Sequence, residues 1–308
     1  MEFHFLGTGA GVPSLTRNVS SLAVRFLQQK GAQWLFDCGE ATQHQLMRSA
    51  ISPSRIDRVF ITHLHGDHIY GLPGFLGTRS FQGAVTPITI YGPPGLEAFI
   101  QASLNVSATY LRYELIIVEV EHGLIIDTDF AEVSVLALQH TLDSFAFRIK
   151  EKPKPGILDV EKLRSLNVEP GPVYQKLKQG ESVELADGRI LHGQEFLGPE
   201  KPGRVVVIAG DSKPVIELIA FAESADLLIH EATFRSGREV DAHEFGHSTI
   251  ADAASIAKAA NVKQLILTHI SSRYVMEEEE LKQEAAEAYE GTMVANDLLV
   301  YTLQAKER

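Results

Sequence analysis

The chain has 308 residues, of which 44% are hydrophobic and 22% are charged, as expected for a globular enzyme with one large domain or two small ones. Its single cysteine, Cys38, excludes an internal disulfide framework and indicates a reducing compartment. The net charge of −12 argues against broad nonspecific binding to nucleic acid, although basic and acidic residues nearly balance in the stretch 150–204.

The sequence predicts no membrane segment. The N-terminus lacks a basic region followed by an apolar core, and no run approaches the ~20 apolar residues that cross a bilayer. We therefore expect no membrane association and a cytoplasmic location.

The first predicted strand, residues 2–6, runs into a glycine-rich turn at residues 7–11. Neither a dinucleotide fingerprint nor a Walker lysine follows, so we expect no nucleotide cofactor and favour a turn that brings backbone close to a substrate or metal. Residues 21–27 and 33–36 form a predicted hairpin, and a helix is expected at 41–50. Asp37, at the end of the second hairpin strand, either orients a metal-ligating imidazole or merely leads into the helix.

Four potential metal ligands fall within six residues directly after a short apolar strand at 58–62. They are His63, His65, Asp67 and His68. Two imidazoles, a carboxylate and a third imidazole form a donor set that suits Zn²⁺ or a similar first-row ion rather than Ca²⁺. A histidine-rich surface turn is the alternative, but it would not need an apolar strand leading into it.

The next part of the chain predicts a helix within 71–83, a strand at 88–91, a helix at 96–104, and strands at 115–120 and 132–139, the last leading to His140. Residues 150–203 differ, because they hold nearly half of the chain's prolines and few β-branched runs. This composition predicts a protruding, semi-ordered insertion of the kind that usually has a function. Within it, Lys176 and Lys178 lie beside an aromatic residue.

Regular structure is predicted again from residue 204. Strands at 204–209, 226–229 and 264–268 lead to Asp211, to His230 and Glu231, and to His269. His247 precedes a helix at 249–260, which has a capping-box-like start, and an acidic helix at 277–290 and a strand at 297–303 follow. The parallel pattern of apolar strand, threonine and histidine at His63 and His269 indicates two related β/α halves that each supply ligands.

The candidate ligands are too many for one tetrahedral zinc and suit two metals that share a carboxylate. We expect Asp211 to bridge, because a carboxylate has two oxygens and an imidazole offers one free lone pair. Two metals suit phosphodiester cleavage, in which Asp67 would both bind metal and accept the proton of the attacking water. His247, held by Glu231, is the candidate acid for the leaving oxygen, unless it only precedes the helix.

The whole chain resembles the metallo-β-lactamase superfamily and, within it, the short form of the ribonuclease Z family, whose members remove the 3′ trailer from tRNA precursors. The motifs that carry the second resemblance are FLGTG at 5–9, FDCGEATQ at 36–43, THLHGDH at 62–68, HEAT at 230–233 and Gly171-Pro172. The resemblance implies an α/β (α+β) fold: a single αββα sandwich over 1–308, with two facing mixed sheets and a flexible tRNA-binding exosite arm at 150–203.

The resemblance also implies roles for particular residues. One zinc is expected on His63, His65 and His140, and the other on Asp67, His68 and His269, with Asp211 between them. Asp67 is similar to the family's proton acceptor, and Glu231 with His247 to its leaving-group pair. Substrate contacts are expected at Arg273, where a structural salt bridge is the alternative, and in the arm at Gly171, Pro172, Lys176 and Lys178.

The family is typically a homodimer in which the arm of one subunit presents tRNA to the site of the other. The chain departs from the family at Leu15, because the loop associated with reading the 3′ CCA often has a lysine there. The sequence therefore does not predict whether precursors that contain CCA are cut.

The functional hypothesis is a zinc-dependent endoribonuclease that cuts precursor tRNA and leaves a 3′-hydroxyl on the tRNA and a 5′-phosphate on the trailer. Two alternatives remain from the sequence. One is a phosphodiesterase or esterase of the same fold that acts on small molecules and would not need the arm. The other is a noncatalytic, metal-bound RNA-binding protein.

Overall fold

The computed structural model describes residues 1–305. Short strands alternate with short helices along most of this length, as predicted for a mixed α/β chain. The strands are β1 (Glu2–Gly7), β2 (Gly9–Ala10), β3 (Ser21–Phe26), β4 (Ala32–Phe36), β5 (Ile56–Phe60), β6 (Ile88–Gly92), β7 (Leu115–Glu119), β8 (Ile125–Asp127), β9 (Ala131–Leu138), β10 (Ser144–Glu151), β11 (Ser182–Glu184), β12 (Ile190–His192), β13 (Val205–Ala209), β14 (Leu227–Glu231), β15 (Leu265–Thr268), β16 (Ile270–Ser271), β17 (Met293–Val294) and β18 (Val300–Thr302).

The helices are short, and most of them connect strands of one sheet. They are α1 (Thr42–Met47), α2 (Gly66–Ile69), α3 (Leu72–Phe81), α4 (Leu96–Val106), α5 (Val160–Ser165), α6 (Pro172–Lys178), α7 (Glu217–Phe221), α8 (Glu239–Glu244), α9 (Ile250–Ala259) and α10 (Glu278–Ala288). The predicted capping box is confirmed, since the Thr249 side chain accepts from the Asp252 amide and the Asp252 side chain accepts from the Thr249 amide.

The larger of two compact units contains Met1–Ile149 and Val205–Gln304. It is built on two mixed seven-stranded sheets, with the strand orders β18-β1-β3-β4-β5-β6-β7 and β17-β15-β14-β13-β10-β9-β8. In the first sheet β4, β5, β6 and β7 are parallel, and in the second β13, β14, β15 and β17 are parallel. Parallel strands place their carboxyl ends at the same edge of a sheet, which is where the candidate ligands follow.

The two sheets face each other across a shared apolar core. Phe36 and Phe60 from the first sheet pack with Phe147 from the second, with ring centroids 6.0 and 5.3 Å apart. Helices α1, α3 and α4 cover the outer side of the first sheet, and α7, α9 and α10 cover that of the second. The layers are therefore helix, sheet, sheet and helix, which confirms the predicted αββα sandwich.

The smaller unit is formed chiefly by Lys150–Arg204 and differs by one residue from the predicted insertion 150–203. It is more regular than its proline content indicated, because it contains α5, α6, the β11–β12 hairpin and its own core around Leu163, Leu177 and Phe196. Pro172 occupies the first turn of α6, where a missing N–H costs little. In this unit, proline lies where helices and strands begin or end, so it does not prevent them from forming.

Seven strands were not predicted: β10 at residues 144–151, and the short strands β2, β8, β11, β12, β16 and β17. In the described part of the chain, every helix is too short or too polar to span a bilayer.

Candidate metal centre and active site

Six strand ends meet at one edge of the sandwich. Asp37 follows β4, His63 lies three residues after β5, and His140 lies two residues after β9. Asp211, Glu231 and His269 stand at the ends of β13, β14 and β15. Tertiary structure thus gathers the residues that the sequence spread over more than 200 positions.

Three histidines point nitrogens at one place. Nε2 of His63 lies 3.1 Å from Nδ1 of His65, and Nε2 of His140 lies 3.2 Å from the same Nδ1. Nitrogens that share a tetrahedral zinc at its usual bond length are separated by about 3.3 Å. The spacing of this triad therefore fits one first-row metal ion.

A second group is formed by Asp67, His68 and His269. Nε2 of His68 lies 3.4 Å from Nε2 of His269, and Oδ2 of Asp67 lies 3.3 Å from the His269 nitrogen and 3.5 Å from that of His68. Burial opposes ionisation of Asp67, but hydrogen bonds from His269 and His68 outweigh it and hold the pKa of this carboxyl far below its usual range.

Asp211 lies between the two groups. Its Oδ2 is 3.8 Å from Nε2 of His63, 3.6 Å from Nε2 of His68 and 3.2 Å from Nε2 of His269. Although burial opposes the charge, the surrounding histidines hold the pKa of Asp211 well below its usual range. The predicted ligands are thus brought together as two sets of nitrogen and oxygen donors around a shared carboxylate, a combination that suits first-row metals.

Two of the candidate-ligand imidazoles that follow β5, those of His68 and His63, are held by hydrogen bonds on the side away from the donor groups. Nδ1 of His68 donates to Oδ2 of Asp37 at 2.8 Å, and Asp37 also accepts from the amide and hydroxyl of Thr62. The Thr62 oxygen lies 3.1 Å from Nδ1 of His63. Of the two sequence interpretations of Asp37, the structure supports the orienting one; its left-handed backbone (φ 54°) is a sparsely populated conformation that often marks functional sites.

His269, which follows a strand of the second sheet, is held by a hydroxyl group in a similar way. Its Nδ1 lies 2.8 Å from the Thr233 hydroxyl, which in turn donates to Oε2 of Glu231 at 2.6 Å. His140 is held by a backbone carbonyl, since its Nδ1 donates to Gly246 O at 2.7 Å. The amide of Gly11 donates to Oδ2 of Asp67 at 2.8 Å, so the glycine-rich turn brings backbone to the site.

His247 and Glu231 form an ion pair beside these donors. Nδ1 of His247 lies 3.0 Å from Oε1 of Glu231 and 3.7 Å from Oδ2 of Asp211. Burial disfavours the imidazolium, but the Glu231 charge and hydrogen bond, helped by Asp211, outweigh it and raise the pKa of His247 to about 9. This arrangement leaves Nε2 of His247 available to donate a proton.

An open cavity of about 300 Å³ exposes the site to solvent. Its lining includes Asp67, Asp211, His247, Phe245 and Arg273. The guanidinium carbon of Arg273 lies 4.8 Å from the centre of the Phe234 ring. No carboxylate within residues 1–305 forms an ion pair with Arg273, so the structural salt bridge is not found there.

The four predicted contact residues of the insertion all lie on or beside α6. Gly171 precedes the helix, and Pro172 and Lys176 are exposed on it. The Lys178 ammonium instead donates to the carbonyls of Gly156 and Pro155 within the same unit. The substrate roles of these residues stay predictions.

Several residues at the site were not identified from the sequence. Thr62 directly precedes the candidate ligand His63, and Thr233 stands two residues after Glu231 in the HEAT motif, so their place in recognised motifs was the available signal. No sequence signal marks Gly246 and Phe245 as site residues, because their contact with the site depends on the path of the chain after α8.

Comparisons with known proteins find relatives that match the whole chain. The sequence model of the family described as anti-Pycsar protein Apyc1 matches residues 1–143. The ribonuclease Z of Shouchella clausii (strain KSM-K16) is 56% identical over 308 residues, which cover 100% of this chain and 99% of that protein. The crystal structure of the short form of human tRNase Z has a TM-score of 0.73 at 32% identity and covers 99% of this chain and 100% of its own. The metallo-β-lactamase fold protein YhfI from Bacillus subtilis, with a TM-score of 0.68 at 22% identity over 97% of this chain and 98% of its own, shares the fold.

Proposed function

The chain belongs to the ribonuclease Z family, and on that premise we propose that it is an endoribonuclease that removes the 3′ trailer from precursor tRNA in the cytoplasm. The cut would leave a 3′-hydroxyl on the tRNA and a 5′-phosphate on the trailer. The observation that carries the proposal is the position of the His247–Glu231 pair next to two donor groups that share Asp211.

Two Zn²⁺ ions are the proposed cofactors, although other first-row divalent metals suit the same donors. His63, His65 and His140 would hold one ion, and Asp67, His68 and His269 the other, with Asp211 as the shared ligand. When bound, such a pair lowers the pKa of a water molecule and neutralises charge on a phosphodiester.

The protein's own groups would move the protons. The Asp67 carboxylate lines the cavity beside His269 and Asp211, so it is placed to accept a proton from the attacking water. His247 would donate its proton to the leaving 3′-oxygen, and Glu231 would keep the imidazole charged and oriented. Arg273, exposed and without a carboxylate partner among residues 1–305, would bind a phosphate near the cut.

Lys150–Arg204 is the proposed tRNA-binding arm. The unit carries exposed Pro172 and Lys176 on one short helix and exposed Gly171 directly before it, and it escapes the acidic bias of the rest of the chain. Confining phosphate contacts to such a unit and to the cleft explains how an acidic protein can bind RNA.

We also propose a homodimer. Phe81 and Val106 end two helices that pack on one another, and Tyr110 follows in the next loop; all three are at least 86% exposed. An apolar group of this kind on a surface indicates contact with another protein.

Sedimentation measurements test whether the protein is a dimer. Mixing Asp67→Ala chains with arm-deleted chains tests the exchange of arms: restored cleavage supports it, and no restoration contradicts it.

Deleting the arm tests the substrate class. Because the Glu151 amide donates to Arg204 O at 2.9 Å, residues 152–203 can be replaced by a short glycine-containing turn that keeps both ends paired. The wild type should cut precursor tRNA and also hydrolyse bis(p-nitrophenyl) phosphate, whereas the deletion should abolish only the first activity. Equal loss of both activities, or retained RNA cleavage, would contradict the role of the arm.

A further inference from the structure

Phe245 is an exposed aromatic side chain at the mouth of the site. It is 59% exposed and lines the same cavity as Asp211, His247 and Arg273. In the described chain, no aromatic ring packs on it. An apolar ring that stays exposed to water at the edge of a charged cleft indicates a binding partner for its face.

The backbone fixes where this ring stands. Phe245 caps α8, and Gly246 follows in the left-handed region with φ 79°. The His247 amide donates to Ala242 O at 2.8 Å and the Gly246 amide to His243 O at 3.2 Å, the paired bonds of a Schellman motif. The same turn therefore holds Phe245, the carbonyl that orients His140, and His247.

The neighbouring aromatic ring, that of Phe234, has a different role. Phe234 is buried, with 3% of its surface exposed, and its face is covered by the Arg273 guanidinium at 4.8 Å. Arg273 can thus supply a phosphate contact while resting on Phe234. The cavity of about 300 Å³ is at the lower end of the range for small ligands and is larger than a phosphate requires, which leaves room for a base.

We propose that Phe245 stacks on the nucleobase directly 5′ of the scissile phosphate, an inference that rests on the proposed function. His247 would protonate the 3′-oxygen of that same nucleoside, and Phe245 lies two residues away on the same turn. Bases stack on aromatic rings with little regard to sequence, so this contact would position the cut for any base. Phe245 would be a substrate-positioning residue.

The test combines protein and RNA changes. Phe245→Ala should lower kcat/KM for a precursor tRNA by roughly tenfold or more, as stacking on a single base allows, while Phe245→Tyr should stay near the wild type. Val240→Ala, which shortens another exposed apolar side chain of α8, serves as the control and should cleave normally.

An abasic nucleotide directly 5′ of the cut should slow the wild type and remove the further effect of Phe245→Ala. An abasic nucleotide directly 3′ should leave that effect intact. Unchanged cleavage by Phe245→Ala, or a loss that persists with the 5′ abasic substrate, would overturn the inference.

Binding separates this inference from the proposed function. With 2-aminopurine at the 5′ position and chelator present, stacking on Phe245 should quench fluorescence in the wild type and not in Phe245→Ala. Quenching without any cleavage after metal is restored would contradict the proposed function alone, and cleavage without Phe245-dependent quenching would contradict the stacking contact alone.

Discussion

Oδ2 of Asp37 accepts a hydrogen bond from Nδ1 of His68 at 2.8 Å and so aims the other ring nitrogen of His68 at His269 and Asp211. Asp37 is itself held by the amide and hydroxyl of Thr62. A carboxylate behind a ligating histidine fixes the tautomer and makes the imidazole a better ligand.

Asp37→Asn should therefore weaken metal binding, because the neutral asparagine amide no longer offers a charged acceptor to Nδ1 of His68. A loss of about 10- to 100-fold in metal affinity is expected for such a change. Competition with a chromogenic chelator measures it. Asp129→Asn, at an exposed turn between β8 and β9, is the control. Metal retention equal to the wild type would show that Asp37 does not support His68.

Gly246→Ala should damage the site beyond its effect on stability. A Cβ there would lie 2.8 Å from Nδ1 of His140, and the positive φ strains any other residue by about 1 kcal/mol. Gly237→Ala is the matched control, since Gly237 has φ 85° and a Cβ added there would have no neighbouring atom within 4 Å. Both variants should lose stability in thermal unfolding from the strained backbone, Gly246→Ala more because its Cβ also crowds His140, and only Gly246→Ala should also lose metal and cleavage activity. Equal activity of the two variants would refute the account of this turn.

His247→Ala should slow the cleavage of RNA by about 10²- to 10⁴-fold, the usual contribution of a general acid. The same substitution should slow the hydrolysis of bis(p-nitrophenyl) phosphate much less, because the nitrophenolate leaving group does not need to be protonated. Parallel initial rates on the two substrates give the comparison. His243→Ala, which removes a histidine that contacts Asp252 instead of the site, should behave as the wild type. A similar loss on both substrates would assign His247 another role.

Glu151 and Arg204 should make the stability of the smaller unit depend on pH. Both are buried and form a bidentate pair at 2.7 Å. Burial opposes ionisation of Glu151, but Arg204 outweighs it and lowers the pKa of this carboxyl. The contribution is therefore complete above the ordinary glutamate pKa, about 4.3, and is lost as the pH falls through the lower folded value.

Glu151→Gln should accordingly cost about 3 kcal/mol at pH 7 and progressively less in acid, since Arg204 loses its buried counter-charge. Hydrogen exchange of amides in Lys150–Arg204 reports the opening of this unit. Glu195→Gln, at an exposed position of the same unit, is the control. A cost that does not change between pH 7 and pH 3 would contradict the ion-pair explanation.

Much of the candidate site could be predicted because it follows strand ends. Apolar runs before His63, Asp211 and His269 mark buried parallel strands, and such strands deliver their next residues to one edge. The repeated Thr-His pair reflected two facing sheets that each supply candidate ligands. The local sequence therefore predicted both the types of the candidate ligands and the edge of the sheets at which they lie.

The remainder depends on contacts that sequence patterns do not encode. Gly246 meets His140 across 106 positions, and only the turn after α8 brings its carbonyl there. The proline content of 150–203 predicted semi-order, but a few apolar side chains such as Leu163 and Phe196 suffice for a small core of its own. The alternation of Phe145, Phe147 and Ile149 did signal β10, and the change in composition at residue 150 obscured it.

Mapping the cut in a 3′-extended tRNA precursor, with and without chelator, tests the central claim most directly. We expect one endonucleolytic cut at the 3′ end of the tRNA body, with a 3′-hydroxyl on the tRNA and a 5′-phosphate on the trailer. Chelator should abolish the cut, and added Zn²⁺ or Mn²⁺ should restore it. No cut, or the same cut in the presence of chelator, would contradict a metal-dependent endoribonuclease built on His63, Asp211 and His269.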